Sequence, residues 1–487
     1  MTGVRRAFVL ASLGRYVMLT INLVATPIMA RLLAPADYGI AVLGGSMLAM
    51  AEAIRALGGG AYLVQQKDLT SAQTHTNFTI SLIATAILIP ALLLLAPSLA
   101  GFFGRPELDP YLRVAAFGFL AGPVSYQVSA LMSRSLAFGQ IAIVTAATAG
   151  VNVGTGIALA LLGWGYMSLA WAAALSALSG MGFYLYFWRD WSIFRPRLSE
   201  WRTVIGFSIH DSATGIVSQI GEALPYLIIG RTLDAGSVGL CQRAVLLALF
   251  PERVILAGVG AVALPAFSKQ VHEGETPRES YLNALGLISA AQWPALVTLI
   301  LLADPIVHIL LGVQWQGAVP VVQILAAALL FSFPIPLHYP VLVALGAIRI
   351  VPITIIAQVV VTIGLLSVAA PYGLEAVALS SFVFVPFCGL LSLGVVRRFL
   401  KFSWLQLAAA VARSVAATFA ALVGPVAVMA AAGSHGGLSI PFAIVAAALA
   451  GAGWIAGLWL TRHPLLQEMM RLAARLRSRI AVKLAGS

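Results

Sequence analysis

The chain has 487 residues, of which 60% are hydrophobic and 9% charged, with a formal net charge of +12. Soluble domains carry about 25% charged residues, so this composition excludes a water-soluble globular protein and points to a bilayer. The two cysteines, Cys241 and Cys388, lie inside apolar runs, which argues against a disulfide framework or a metal site.

Fourteen apolar runs approach or exceed the roughly 20 residues a helix needs to cross the hydrocarbon core. The first six are Phe8–Ala30, Tyr38–Leu57, Phe78–Ala100, Leu112–Leu131, Ile141–Leu162 and Met167–Trp188. The next six are Val204–Ile229, Val238–Phe267, Tyr281–Ala303, Val319–Val341, Pro352–Ala370 and Ala376–Val396. Leu407–Ala431 and Ile440–Leu460 follow as two extra spans. Arg5-Arg6 before an apolar run imitates a signal peptide, but the run is long and carries Arg15 and Asn22, so it reads as a retained first span. Pro334, Pro336 and Pro340 interrupt the tenth span, and a membrane tolerates such breaks where neighbours or water re-satisfy the backbone.

Lysine and arginine set the orientation. With the N-terminus in the cytoplasm, cytoplasmic segments hold 20 of the 29 basic residues and outer loops hold three, Arg31, Arg105 and Arg231. That bias is the positive-inside pattern. It requires an even span count and both termini inside. The net charge therefore follows from topology and implies no nucleic-acid partner. After Leu460, Leu466, Met469, Met470, Ala473, Leu476 and Ile480 recur at helical spacing among basic residues. They predict an amphipathic helix on the anionic cytoplasmic leaflet.

The chain repeats itself. Arg31-Leu-Leu-Ala-Pro-Ala-Asp-Tyr-Gly39 and Arg231-Thr-Leu-Asp-Ala-Gly-Ser-Val-Gly239 stand in register at an offset of 200, and Glu52 and Glu252 follow at the same offset. Pro97 and Gly104 match Pro305 and Gly312 at an offset of 208. An even number of spans separates the copies, so the repeat is parallel, with its axis along the membrane normal. The expected architecture is all-α: an N-lobe over 1–202, a C-lobe over 203–400, two extra spans over 401–461 and a basic tail over 462–487.

Polar residues inside the spans fall on stripes. Ser12, Arg15, Asn22 and Thr26 share a face of the first span, and Ser208, Asp211, Gly215, Ser218, Gln219 and Glu222 share one of the seventh. An ionised group facing lipid costs at least ~2.5–3.5 kcal/mol, so both stripes must face protein or a hydrated cavity. Arg15, Arg55, Arg243 and Arg253 suit an anion site, because guanidinium stays charged and grips phosphate in a bidentate fashion. The competing reading pairs each with an acid, as Arg55 could pair with Glu52, or lets it snorkel to an interface. Asp211 and Glu222 could take up a coupling H+ or Na+, or could be partners of those arginines. Arg31 and Arg231, with Asp37 and Asp234 nearby, read as turn-capping and inter-lobe structure. No nucleophile triad, Cys-His pair or zinc-protease motif stands where a site could form, so neither catalytic residues nor a cofactor are expected.

Arg31–Gly39 after a striped first span, its echo at Arg231–Gly239, and Leu311-Gly-Val-Gln-Trp315 resemble the Wzx-type polysaccharide flippases. These form a branch of the MOP superfamily, alongside lipid II flippases and MATE exporters. The resemblance covers essentially the whole chain. It implies alternating access and a cationic cavity that receives an undecaprenyl-pyrophosphate-linked oligosaccharide in the bacterial inner membrane. It further implies membrane lipids and polysaccharide polymerase or export proteins as partners. Arg15 and Arg55 carry over as headgroup contacts in the N-lobe, and Arg243 and Arg253 more loosely in the C-lobe. A MATE-type small-molecule exporter is the nearest alternative, and would prefer an acidic or aromatic cavity. A membrane-embedded polymerase or ligase would need a sizeable outer loop, and the loops here are short, as at Gly163–Tyr166 and Pro371–Gly373.

Overall fold

A computed structural model describes residues 21, 24–55, 60–432, 438–471 and 474, and every regular element among them is helical. Among the described residues ten helices are long and apolar enough to cross a membrane, or eleven when one bent pair counts as a single span. The protein is thus a multi-pass helical membrane protein. Packing divides it into two compact units. The first holds Met1–Gln242 with Leu310–Gln314 and Thr362–Pro371; the second holds Arg243–Ile309, Trp315–Val361 and Tyr372–Ser487.

In the first unit, α1 (Val24–Leu32) bends by 118° into α2 (Pro35–Arg55). Pro35 explains the bend, since proline biases the residue before it away from helical geometry and lacks a donor itself. Asp37 Oδ2 accepts from the Ala34 amide at 3.3 Å, and its Oδ1 accepts from the Tyr166 amide at 3.1 Å. A short α3 (Gly60–Gln65) follows. Thr70 and Gln73 then form a reciprocal capping box that starts the 33-residue α4 (Ser71–Phe103), and Gly104 ends it in left-handed backbone at φ +64°. Next come α5 (Leu108–Ala116), a 3-10 turn over Phe117–Ala121, and α6 (Gly122–Arg134). The fourth expected span is therefore broken in the middle, where Gly118, Gly122 and Pro123 crowd together. α7 (Phe138–Leu161) and α8 (Met167–Phe187) pack side by side across a turn in which Gly163 and Gly165 take positive φ. α9 (Trp201–Thr232) and the start of α10 (Ala235–Ala248) complete the unit.

The repeat is visible in its contacts. A methyl group at Gly39 would overlap the Ala235 carbonyl, and one at Gly239 would overlap the Pro35 carbonyl. Pro35 and Ala235 are themselves 200 apart, so each copy's glycine receives the other copy's helix start. Such reciprocal contact is what a local two-fold axis produces. Asp234 stands where Ala34 does in the first copy and reaches forward rather than back: its Oδ1 accepts from the Ser237 amide at 2.8 Å at the head of α10. Both aspartates thus cap helices, as the turn reading of these stretches expects.

The second unit contains the rest of α10, α11 (Phe250–His272), α12 (Arg278–Leu301) and α13 (Ala303–Leu310, its last residue excepted). It continues with α14 (Ala318–Ala328), α15 (Ile335–Ala344), the first part of α16 (Val351–Ala369) and α17 (Leu374–Leu400). The eighth expected span, Val238–Phe267, is two helices. Leu249 falls between α10 and α11, and Pro251 in the first turn of α11 cannot extend an upstream hydrogen-bond ladder. A buried cluster of Phe267, Tyr281, Leu285, Leu337, Leu393 and Phe402 holds α11, α12, α15 and α17 together.

The two extra spans, α18 (Trp404–Ala431) and α19 (Ile440–Leu460), pack within this unit. They meet through small residues. Methyl groups at Gly424, Gly453 and Gly457 would collide with Leu449, Ala420 and Ala417. Lipid tails are as apolar as leucine, so such helices gain from close backbone approach and buried polar bonds. Ser289 on α12 donates to Ser414 Oγ on α18 at 2.9 Å, and Trp454 on α19 donates to the Ala290 carbonyl at 2.8 Å. The chain after α19 is helical over 464–471. The remainder of the expected amphipathic tail lies mostly outside the described residues.

Candidate functional site

A chamber of about 540 Å³ opens within the first unit, walled by α2, α5, α6, α7 and α8. Small residues such as Ala49, Gly118, Ala173 and Ala177 make the room, and Glu52, Arg55, Ser125, Tyr126, Ser129 and Ser176 supply polarity. Arg55 is in the last turn of α2, where a cation also complements the helix dipole. It is buried, 3% exposed. Its Nε donates to Glu52 Oε2 at 3.0 Å, one Nη pairs with Glu52 Oε1, and the other donates to Ser81 Oγ at 3.1 Å. Its guanidinium carbon stands 4.4 Å from the centre of the Tyr126 ring.

Gly122 makes this arrangement possible, because a Cβ there would lie 2.7 Å from the Arg55 guanidinium carbon. The pairing that the three-residue spacing of Glu52 and Arg55 suggests is therefore present. Tyr126 and Glu52 also face the chamber, so it offers an incoming molecule hydroxyls, a carboxylate and the edge of a neutralised guanidinium.

The corresponding acid in the second unit is held differently. Glu252, in the first turn of α11, accepts from Gln292 Nε2 at 3.2 Å and lies 3.2 Å from Ser332 Oγ. Gln292 Nε2 also donates to Ser332 Oγ at 2.9 Å. The spans Leu108–Arg134 and Ala318–Ala344 have equal length at an offset of 210, which sets Ser332 where Gly122 stands. At an offset of 200, Ile255 stands where Arg55 does. The acid recurs; the buried cation beside it does not.

The other candidates are scattered. Arg243 on α10 is buried, its guanidinium carbon 5.8 Å from the centre of the Trp315 ring. Arg253 and Glu222 are exposed on α11 and α9, and neither lines the chamber. The backbone of Asp211 belongs to α9, while its side chain lies outside the described residues, as does the whole of Arg15. Among the described residues no group of three acids, histidines or cysteines could hold a metal. Ser81, Tyr126, Gly122, Gln292 and Ser332 escaped the sequence reading. Extending the repeat to an offset of 210 would have aligned Gly122 with Ser332. Nothing in the sequence ties Ser81 to Arg55. Gln314 from the Leu311–Trp315 stretch donates to the Ala30 carbonyl at 2.7 Å, so that motif closes the end of α1.

This arrangement of helices is a fold shared with solved membrane proteins. The lipid II flippase MurJ in an inward closed conformation matches 93% of this chain and 99% of its own at a TM-score of 0.74 and 14% identity. An inward-facing MATE multidrug transporter matches 79% and 94% at 0.65 and 17%. A family model described as "Polysaccharide biosynthesis protein" matches residues 28–320, and the chain belongs to that family. It is 25% identical to the teichuronic acid biosynthesis protein TuaB of Bacillus subtilis over 57% of this chain and 58% of that one. It is 22% identical to the lipopolysaccharide biosynthesis protein WzxC of Escherichia coli over 65% and 64%. For the succinoglycan biosynthesis transport protein ExoT of Rhizobium meliloti the identity is 26% over 67% and 66%. The match thus spans under two thirds of the first of these relatives' own length.

Proposed function

We propose that the protein is a flippase, not an enzyme, which moves an undecaprenyl-pyrophosphate-linked sugar unit across the bacterial inner membrane for surface polysaccharide synthesis. The observation that carries this reading is a chamber bearing an arginine, a carboxylate and several hydroxyls, inside a helical bundle whose family is described as polysaccharide biosynthesis protein. A sugar needs hydroxyl and carboxylate partners, and Ser125, Tyr126 and Ser129 on α6 and Glu52 on α2 supply them. Arg55, with Arg15, Arg243 and Arg253, is assigned to the pyrophosphate headgroup. Asp211 and Glu222 are assigned to a coupling H+ or Na+. An apolar groove of about 530 Å³ in the second unit, lined by Trp293, Phe331, Trp404, Val411 and Phe419, has the chemistry of a polyprenyl-chain site.

Such a flippase has fourteen spans, both termini in the cytoplasm, lobes at 1–202 and 203–400, and polymerase or export proteins as neighbours. The test is flipping of a fluorescent undecaprenyl-pyrophosphate oligosaccharide in proteoliposomes. The intact protein should move it between leaflets, and Arg15→Ala and Tyr126→Leu should slow it at unchanged protein content. Equal rates in protein-free liposomes would overturn the reading. An imposed proton or Na+ gradient should drive the wild type, and Asp211→Asn or Glu222→Gln should lose that response. An unchanged response in both would remove them from coupling.

A further inference from the structure

A larger cavity, of about 940 Å³, lies in the second unit between α16 and α17 and belongs to neither the chamber nor the apolar groove. Its walls are apolar: Ile353 and Ala357 from α16, Leu390 and Val395 from α17. At one end it carries three cations within five residues, Arg397, Arg398 and Lys401, and no acid lines it. The cations are exposed, while Ile353 and Leu390 are 66% and 61% exposed at the surface that a bilayer would cover.

Basic residues at a span end often do no more than snorkel to the interface. Two observations separate this group from that. Arg397 is fixed: its Nε donates to the Phe402 carbonyl at 3.0 Å and its guanidinium carbon stands 5.0 Å from the centre of the Trp404 ring. Lys401 caps α17 in left-handed backbone, φ +51°, its amide donating to the Arg397 carbonyl at 2.9 Å, so the chain turns back at this point. Beneath the cations, one turn down α17, Gly394 leaves open space where a side chain would stand. A concave apolar cleft ending in a convergent cationic cluster is shaped for an amphiphile with an anionic head.

We propose that this cleft is a binding site for an anionic bilayer phospholipid. Its phosphate rests on Arg398 and Lys401, with Arg397 as the fixed wall, and an acyl chain runs past Gly394 along Ile353 and Leu390. Basic pockets between membrane helices favour such headgroups, and three cations favour a lipid with two phosphates, such as cardiolipin, over one with a single charge. The site is independent of the transported cargo.

Native mass spectrometry of the full-length protein, with cardiolipin, phosphatidylglycerol or phosphatidylethanolamine added to the detergent, tests it. Retention should fall in that order. Removing the free cations in Arg398→Gln/Lys401→Gln should weaken cardiolipin binding by about fivefold per charge. Gly394→Trp keeps every charge and fills the cleft, so it should weaken binding at least as much. Melting temperature and circular dichroism of each variant establish that it is folded; the exposed double variant provides the test should Gly394→Trp not fold. Unchanged cardiolipin binding in a folded Gly394→Trp protein would mean diffuse surface attraction and overturn the proposal. So would equal retention of all three lipids. Displacement of cardiolipin by undecaprenyl pyrophosphate at equal concentration would reassign the cleft to the cargo and also overturn it.

Discussion

Glu52 and Glu252 occupy the same place in the two copies of the repeat, yet their surroundings differ in kind. Around Glu52 a full charge answers the carboxylate: Arg55 grips it from one turn away, and Gly122 stays bare so that the guanidinium fits. Around Glu252 neutral groups answer it: an amide from Gln292 and a hydroxyl from Ser332, on the position Gly122 holds in the other copy. Removing one partner of a buried ion pair strands a charge, whereas removing one neutral donor loses a hydrogen bond. The two copies kept the acid and diverged in what neutralises it, so a buried arginine beside that acid belongs to the first copy, where the chamber is.

The largest effect expected from this difference is in the acids themselves. Glu52→Gln should destabilise the protein by about 3 kcal/mol, since it leaves Arg55 buried without its counter-charge. Glu252→Gln should change stability by less than about 1 kcal/mol, an amide being able to meet the same neutral donors. Thermal unfolding in one detergent reads both, and similar losses would erase the distinction. Arg55→Leu in the Glu52→Gln background should recover part of the loss.

A smaller effect is expected one shell out. Gly122→Ala pushes a methyl group against the Arg55 guanidinium and should cost about 1–3 kcal/mol. Ser332→Ala removes one hydroxyl and should cost about 1 kcal/mol. If Gly122→Ala melted with the wild type, the arginine would not depend on that gap.

The smallest effect concerns a third buried polar cluster, also built from neutral groups. His463, just past α19, accepts the Leu465 amide on Nδ1 at 3.1 Å, which leaves Nε2 to donate to Ser414 Oγ, 3.3 Å away. A second proton would land on the nitrogen already used as acceptor. Burial, and then the charge of Arg413, hold the His463 pKa below its ordinary 6.5. The unfolded chain therefore takes up the proton first, and stability should fall as pH drops below about 6.5. Melting temperatures between pH 7.5 and 5.5 should show this loss, and His463→Gln should flatten it. An equal slope in the variant would place the titration elsewhere.

Much of this was legible in the sequence, for local reasons. The apolar runs locate the long helices and the three-residue spacing gives the Glu52–Arg55 pair, but runs that begin at Tyr38 and Phe78 pass over Pro35 at the start of α2 and the Thr70–Gln73 cap that starts α4 at Ser71. What was not legible depends on helices far apart in sequence. Ser81 and Tyr126 reach Arg55 from α4 and α6, and no periodicity within α2 announces them. The break at Phe117–Ala121 hid because its glycines sit in an otherwise apolar run that reads as one span. The split at Leu249 hid for the same reason, with Pro251 the one visible sign.

The reciprocal seating of Gly39 on Ala235 and Gly239 on Pro35 also bears on the order in which the protein is made. The surface that α2 presents at Gly39 has no partner until the ribosome has added roughly 200 more residues. At synthesis rates of about 5–20 residues per second, that is on the order of 10–40 s. Throughout that interval the spans already inserted include a bare glycine notch cut for a helix not yet synthesised. Closing it is a late step of biogenesis, and one that a nascent chain ending before Ala235 could never take.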